Sequence, residues 1–251
     1  MCELFGFSGA EKTDIREYLK AFFSHGSNNP HGYGLMYDDD RKVIKEPVNA
    51  ADSERLDKTV KELGKQAVTL AHIRFATVGS VDENNCHPFT KSDSSGRVWT
   101  LIHNGTIYTG RETYNYFKVQ KGDTDSERLF LAFIDRMNDK LKQGELSERE
   151  RFEAVNEFIT ENSPRNKLNL ILYDGELMYA HKNMKNTLGF SLVGGGVLIS
   201  TTPLCEARWH DMPMAQVVAY RHGEEVYRGE KHEGEFIPNL EYITALDAMH
   251  I

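Results

Sequence analysis

Three glycine-centred turn signals in the last third of the chain constrain its fold more than any other feature. Asp174-Gly175 separates the apolar runs 167–173 and 176–181. Gly194-Gly195-Gly196 separates 188–193 from 197–201, and His222-Gly223 separates 215–220 from 225–228. Dipeptides of this kind turn a strand back on its neighbour, because glycine takes positive φ without a steric penalty. Three successive hairpins mean antiparallel sheet.

The preceding two thirds supply more strands and the helices to cover them. Residues 2–8 read as a strand apolar on both faces, as in a sheet covered on both sides. Residues 34–37 and 42–46 read as a hairpin, and 67–75 and 97–103 as further strands. Helices are expected over 14–24, with Asp14 and Glu17 as a capping pair, and over 53–63, ending at Gly64. Two more are expected over 125–141 and 147–162, where Thr124…Glu127 and Ser147…Glu150 have capping-box spacing. Two antiparallel sheets with helices on their outer faces give an α+β fold, a four-layer αββα sandwich. With no internal repeat, low-complexity stretch or linker, residues 1–251 read as one domain.

Composition narrows the function classes. A net charge of −8, without any basic patch, argues against a nucleic-acid surface. No apolar run approaches the ~18 residues of a membrane span, and the N-terminus has no secretory pattern. Three scattered cysteines make no disulfide framework, so a reducing cytoplasm is expected. Cys86-His87 lacks a second pair at ligand spacing, so no metal and no cofactor are expected.

Chemistry enters at the second residue. Cys2 follows the initiator methionine and leads the first strand. If Met1 is cleaved, one residue carries both a thiol (pKa ~8.5) and a free α-amine (~8), a nucleophile together with its base. The competing reading is a small buried hydrophobe.

Four polar clusters lie at the ends of apolar elements. In His72-Ile73-Arg74-Phe75-Ala76-Thr77, a buried arginine needs either a structural ion pair or a ligand carboxylate that its fork can grip. Arg74 and Thr77 have opposite strand parity, so they share a pocket only if the chain bends between them. Cys86-His87-Pro88 is the second cluster. In His103-Asn104-Gly105, Asn-Gly is first a turn dipeptide, but an Asn amide beside a glycine N–H is also what an oxyanion hole requires. In Gly122-Asp123-Thr124-Asp125-Ser126-Glu127, capping explains Thr124 and Glu127, while Asp125 could hold an ammonium.

In this order after an N-terminal cysteine, the motifs H-x-R-x-A-T, H-P, H-N-G and T-D-S-E resemble the class II glutamine amidotransferase domain, a family of N-terminal nucleophile (Ntn) hydrolases. The opening MCELFG resembles the family's stand-alone branch, and the resemblance extends along essentially the whole chain. It implies an Ntn-hydrolase αββα sandwich, in agreement with the hairpin reading. It also implies that Cys2 attacks the side-chain amide of glutamine with its own α-amine as proton shuttle. Asn104 and the Gly105 N–H would then stabilise the oxyanion. Arg74 would take the α-carboxylate and Asp125 the α-ammonium, with Phe75, Thr77 and His87 lining the substrate pocket. Ammonia would leave first, and water would hydrolyse the γ-glutamyl thioester.

Two departures stand out. Where many relatives have arginine-glycine and D-G-W-G, this chain has His25-Gly26 and His31-Gly32-Tyr33-Gly34. Relatives that build a product carry an ammonia-accepting domain next, whereas residues 181–251 here are taken up by sheet and tail, so any acceptor is expected to be a separate subunit. Two alternatives stay open: hydrolysis of a larger γ-glutamyl amide conjugate without ammonia transfer, and a catalytically silent glutamine-binding regulatory module.

Overall fold

The segment that follows Cys2 occupies the middle of a sheet. The computed structural model describes residues 1–238, apart from the side chains of Arg111 and Glu112; residues 239–251, the end of the expected tail, lie outside the described residues. Its strands are β1 (Glu3–Thr13), β2 (Tyr33–Tyr37), β3 (Lys42–Glu46), β4 (Gln66–Ile73), β5 (Phe89–Ser92), β6 (Val98–Thr106) and β7 (Lys167–Tyr173). These are followed by β8 (Met178–Lys182), β9 (Gly189–Val193), β10 (Gly196–Ser200), β11 (Trp209–Asp211), β12 (Gln216–Arg221) and β13 (Glu224–Arg228). One sheet has the order β11-β9-β10-β1-β4-β2-β3 and the other β13-β12-β8-β7-β6-β5; every named pairing is antiparallel.

The turn signals act much as expected. Val193 pairs with Gly196 and Arg221 with Glu224, which leaves the two-residue turns Gly194-Gly195 (φ 57° and 74°) and His222-Gly223 (φ 53° and 84°). Two successive positive φ values give the turn that matches strand twist. The third glycine of the triplet is not a turn residue. Gly196 begins β10, where a Cβ would lie 2.4 Å from the Ser8 carbonyl oxygen.

The helices are α1 (Arg16–Ser24), α2 (Glu54–Glu62), α3 (Arg111–Tyr114), α4 (Asp125–Leu141) and α5 (Glu148–Asn162). Three apolar clusters mark the interfaces of four layers. Phe5, Phe7, Leu35 and Ile73 pack against Leu19 and Phe22 of α1 and Leu56 and Val60 of α2. Leu4, Met36 and Leu70 meet Ile102, Ile171 and Met178 between the sheets. Leu101, Leu170 and Tyr179 meet Leu129 and Phe133 of α4 and Phe152 and Val155 of α5. Burying each such side chain contributes about 1.5–3 kcal/mol. The fold is the αββα sandwich of two antiparallel sheets.

Strand parity decides what faces the space between the sheets. On β1, Phe5 and Phe7 point to the helices, so Leu4 and Gly6 point to the other sheet; a Cβ at Gly6 would touch the Ile171 side chain. The same alternation puts Leu70 and His72 of β4, Ile102 and Asn104 of β6, and Lys167, Asn169 and Ile171 of β7 on inter-sheet faces.

Several local expectations need correction. At α1, Asp14 does not form a capping pair with Glu17. Its carboxylate accepts from the Arg16 N–H and guanidinium, and Glu17 binds Lys20. The first strand runs on to Thr13 through an irregularity after Ser8. The fourth strand stops at Ile73, before Arg74 and Phe75. Ser147 and Glu150 do form a complete capping box. At α4 only half forms: Thr124 accepts from the Glu127 N–H, but the Glu127 carboxylate reaches back to the N–H groups of Lys121 and Gly122.

Candidate active site

The thiol of Cys2 sits where β4 ends. Its S–H donates to the Phe75 carbonyl (3.3 Å), and the Phe75 N–H donates back to the sulfur (3.2 Å). Burial pushes the thiol pKa up, while the Phe75 bond, the terminal amine, Lys167 and Arg74 all pull it down. The Met1 amine is lowered by burial and by Lys167. The two groups are therefore displaced in opposite senses, and both cations act on the thiol.

Arg74 is 3% exposed. Its guanidinium donates to the carbonyls of Ser80 (2.8 Å), Val78 (3.0 Å) and Gly79 (3.3 Å). Among the described residues no carboxylate lies at ion-pair distance from it, so the structural ion pair is not what holds it. β4 ends at Ile73, the chain bends over residues 77–79, and Thr77 is exposed there. The 78–80 loop is itself held from below. Asp123 accepts from the Ser80 N–H (3.0 Å) and from the amide of the fully buried Asn85, whose oxygen accepts from the Asp123 N–H. Gly79 has φ +84°, and a Cβ there would lie 2.5 Å from the Asp123 carboxylate. The sequence reading missed Asn85 and Asp123 as supports of the arginine.

Asn104 and Gly105 are not in a turn; they immediately precede the last residue of β6, paired with Asn169 and Leu168 of β7. Asn104 is 3% exposed, and its Oδ1 accepts from Lys167 Nζ at 3.2 Å. A lysine can only donate, which fixes the amide orientation and leaves Nδ2 as a buried donor with no partner among the described residues. Lys167 Nζ also lies 3.2 Å from the Met1 sulfur, so this amide and the N-terminus share one neighbour. Gly105 admits no side chain: a Cβ would lie 1.9 Å from the Lys167 carbonyl oxygen and 2.3 Å from His103 Nε2.

Asp125, at the start of α4, accepts from the Ile107 N–H (2.6 Å) and the Ser126 N–H (2.9 Å), which ties the segment after Gly105 to the helix. His87 is 4% exposed, its ring packs against His72 and Phe89, and neither ring nitrogen has a hydrogen-bond partner among the described residues. Burial depresses the pKa of His72 to about 3 and that of His87 well below its ordinary value, so both rings are neutral and poorly suited as bases. Cys86 donates to the carbonyls of Glu46 and Asp82, and burial raises its thiol to about 11. Among the described residues no three His, Cys, Asp or Glu are grouped to hold a metal, and no helix is long and apolar enough to cross a membrane.

The model of the class II glutamine amidotransferase family matches residues 1–194. The chain belongs to that family. YafJ of Escherichia coli is 30% identical over 189 residues, which cover 72% of each chain. A Haemophilus influenzae relative is 31% identical over 186 residues, covering 72% of this chain and 63% of its own length. Among solved structures, the glutamine phosphoribosylpyrophosphate amidotransferase of Bacillus subtilis superposes with a TM-score of 0.68 at 13% identity, over 92% of this chain and 50% of that one. The chain thus spans about half of that enzyme, and the likeness bears on the fold alone.

In this member of the family, the two departures have defined contacts. His25 replaces the expected arginine and binds the Glu3 carboxylate (2.9 Å), which Thr202 also reaches (3.0 Å). His31 accepts from the Ala76 N–H (3.0 Å) and packs its ring on Phe75, the residue whose backbone holds the Cys2 thiol. The loop beside the nucleophile is supported by imidazoles. Lys167, which the sequence reading treated only as the start of a hairpin strand, is the most prominent residue it missed.

Proposed function

We propose that this amidotransferase hydrolyses the side-chain amide of glutamine through a γ-glutamyl thioester on Cys2. The observation that carries the reading is the buried, unpartnered Nδ2 of Asn104, a donor held ready beside the N-terminus. An orphaned buried donor is expensive unless a ligand satisfies it. An oxyanion formed at the substrate carbonyl would do so.

Removal of Met1 frees the Cys2 amine, which takes the thiol proton. The thiolate adds to the amide carbon, and the developing oxyanion accepts from Asn104 Nδ2 and the Gly105 N–H. The amine then passes its proton to the departing nitrogen as the C–N bond breaks, releasing ammonia. Water adds to the thioester by the same route, and the C–S bond breaks to release glutamate. Arg74, with its three carbonyl bonds but no carboxylate, is suited to the substrate α-carboxylate, and Asp125 to the α-ammonium. Phe75, whose backbone holds the thiol, and the exposed Thr77 would line the substrate pocket, with His87 shaping it through its packing on His72 and Phe89. Ammonia either escapes or passes to a separate accepting subunit; with a larger γ-glutamyl amide in place of glutamine, the same steps release an amine.

The test is glutamate release from glutamine by native protein whose N-terminus has been verified by mass spectrometry. Loss of turnover in Cys2→Ala, together with labelling of Cys2 by a glutamine-analogue electrophile, is expected. Unchanged turnover in Cys2→Ala refutes the mechanism. Glutamine binding without turnover, in protein that retains Met1, favours the regulatory module.

A further inference from the structure

We infer that Lys167 is a positioning residue for the oxyanion hole, holding the Asn104 amide with its N–H face toward the reacting carbonyl. The inference rests on the amidohydrolase reading above. Lys167 opens β7 and pairs with Thr106, on the face between the sheets, where it is 2% exposed. Its Nζ donates to Asn104 Oδ1 at 3.2 Å. Rotating that amide by 180° would set Nδ2 against an ammonium, a donor facing a donor. Among the described residues no second bond fixes the amide: Asn169 Nδ2 donates to the Asn104 backbone carbonyl (3.1 Å), which holds the strand but not the side chain.

The arrangement also places a cation behind the donor. Charge on Nζ draws electron density through the amide, making the Nδ2 hydrogens better donors to an oxyanion. Around this ammonium stand the Cys2 thiol and the terminal amine just before β1, and His103 on β6, whose Nε2–H donates to the Lys167 carbonyl. Burial lowers the lysine to about 8, with the Cys2 thiol acting in the opposite sense. Lys167 therefore loses charge on the alkaline side of neutrality, where a thiol would otherwise become more reactive.

The experiment is a double-mutant cycle on glutamine hydrolysis, using Lys167→Met, Asn104→Ala and the double variant. Lys167→Met should lower kcat by about 10–100-fold, as expected for loss of a charge-assisted hydrogen bond, with KM for glutamine unchanged. In the Asn104→Ala background it should have no further effect, because its target is gone. Lys167→Gln retains an N–H donor and should recover most of the loss. Multiplying effects in the double variant, or a Lys167→Met change confined to KM, overturns the inference. Should Lys167→Met fail to fold, Lys167→Gln decides: a fall as large as that of Asn104→Ala overturns it, and kcat within tenfold of the native protein supports it. Cys2→Ala, run alongside, separates the two claims. Turnover that survives in Cys2→Ala overturns the amidohydrolase reading and the inference with it, whereas turnover lost there but insensitive to Lys167 overturns the inference alone.

Discussion

Mild acid should destabilise this protein well above the pH at which carboxylates protonate. His72 and His181 are fully buried, and burial drops both to about 3 from an ordinary value of 6.5. The folded state keeps these rings neutral while the unfolded chain protonates them. Their stabilising contribution is therefore complete above pH 6.5 and is lost as the pH falls from 6.5 toward 3. At pH 5 each ring accounts for about 2 kcal/mol, since 1.5 pH units at about 1.4 kcal/mol apiece separate that pH from the unfolded pKa. Together they account for about 4 kcal/mol, a large fraction of the ~5–15 kcal/mol typical of a domain. His87 and His103 are shifted in the same direction and add to the effect. Urea unfolding at pH 7.5 and pH 5.0 measures the difference directly. Carboxylates titrate mostly below this window, so they do not mask it. A difference under about 1 kcal/mol, or uptake of less than one proton on unfolding at pH 5.5, would refute the claim that these rings are held neutral in the core.

Three further outcomes follow from particular contacts. Arg74→Lys removes the planar fork and should lower kcat/KM for glutamine about 10–100-fold, mainly through KM, as steady-state kinetics would show. Gly105→Ala drives a Cβ into the Lys167 carbonyl and His103, so β6 must separate from β7; a thermal melt should show a loss of about 1–3 kcal/mol. Ser147→Ala breaks the capping box of α5 on an exposed turn, lowering stability by about 1 kcal/mol in urea while leaving turnover intact.

How much of this was legible in the sequence depended on the range of the interaction that decides each feature. The hairpins at 194–195 and 222–223 are local: two residues with positive φ suffice, and His222-Gly223 or a glycine pair announces them. The long helices were legible for the same reason, since stripe and cap lie within one segment. Asp14 and Glu17 misled because each has a charged neighbour within its own turn: Asp14 takes the Arg16 guanidinium as well as the Arg16 N–H, and Glu17 takes Lys20. Strands β5 and β11 are only four and three residues long, and their pairing partners, not their own residues, make them strands.

The candidate site shows the same division more sharply. Cys2, Arg74, Asn104 and Asp125 were each marked by an ordered motif, but the direction in which a strand residue such as Asn104 points is a property of sheet register. Asn104 faces the space between the sheets because Ile102 does, and Lys167 reaches it because the 104↔169 pairing puts 167 opposite 106. A slip of one residue between β6 and β7 would turn Lys167 toward α4 and α5, where Leu168, Leu170 and Leu172 now pack, and would put those leucines between the sheets. Three leucines therefore hold the register that sets one lysine against one amide. The apolar face of β7 was readable as core from the sequence, but its polar positions acquire meaning only once a partner some sixty residues earlier in the chain is fixed beside them.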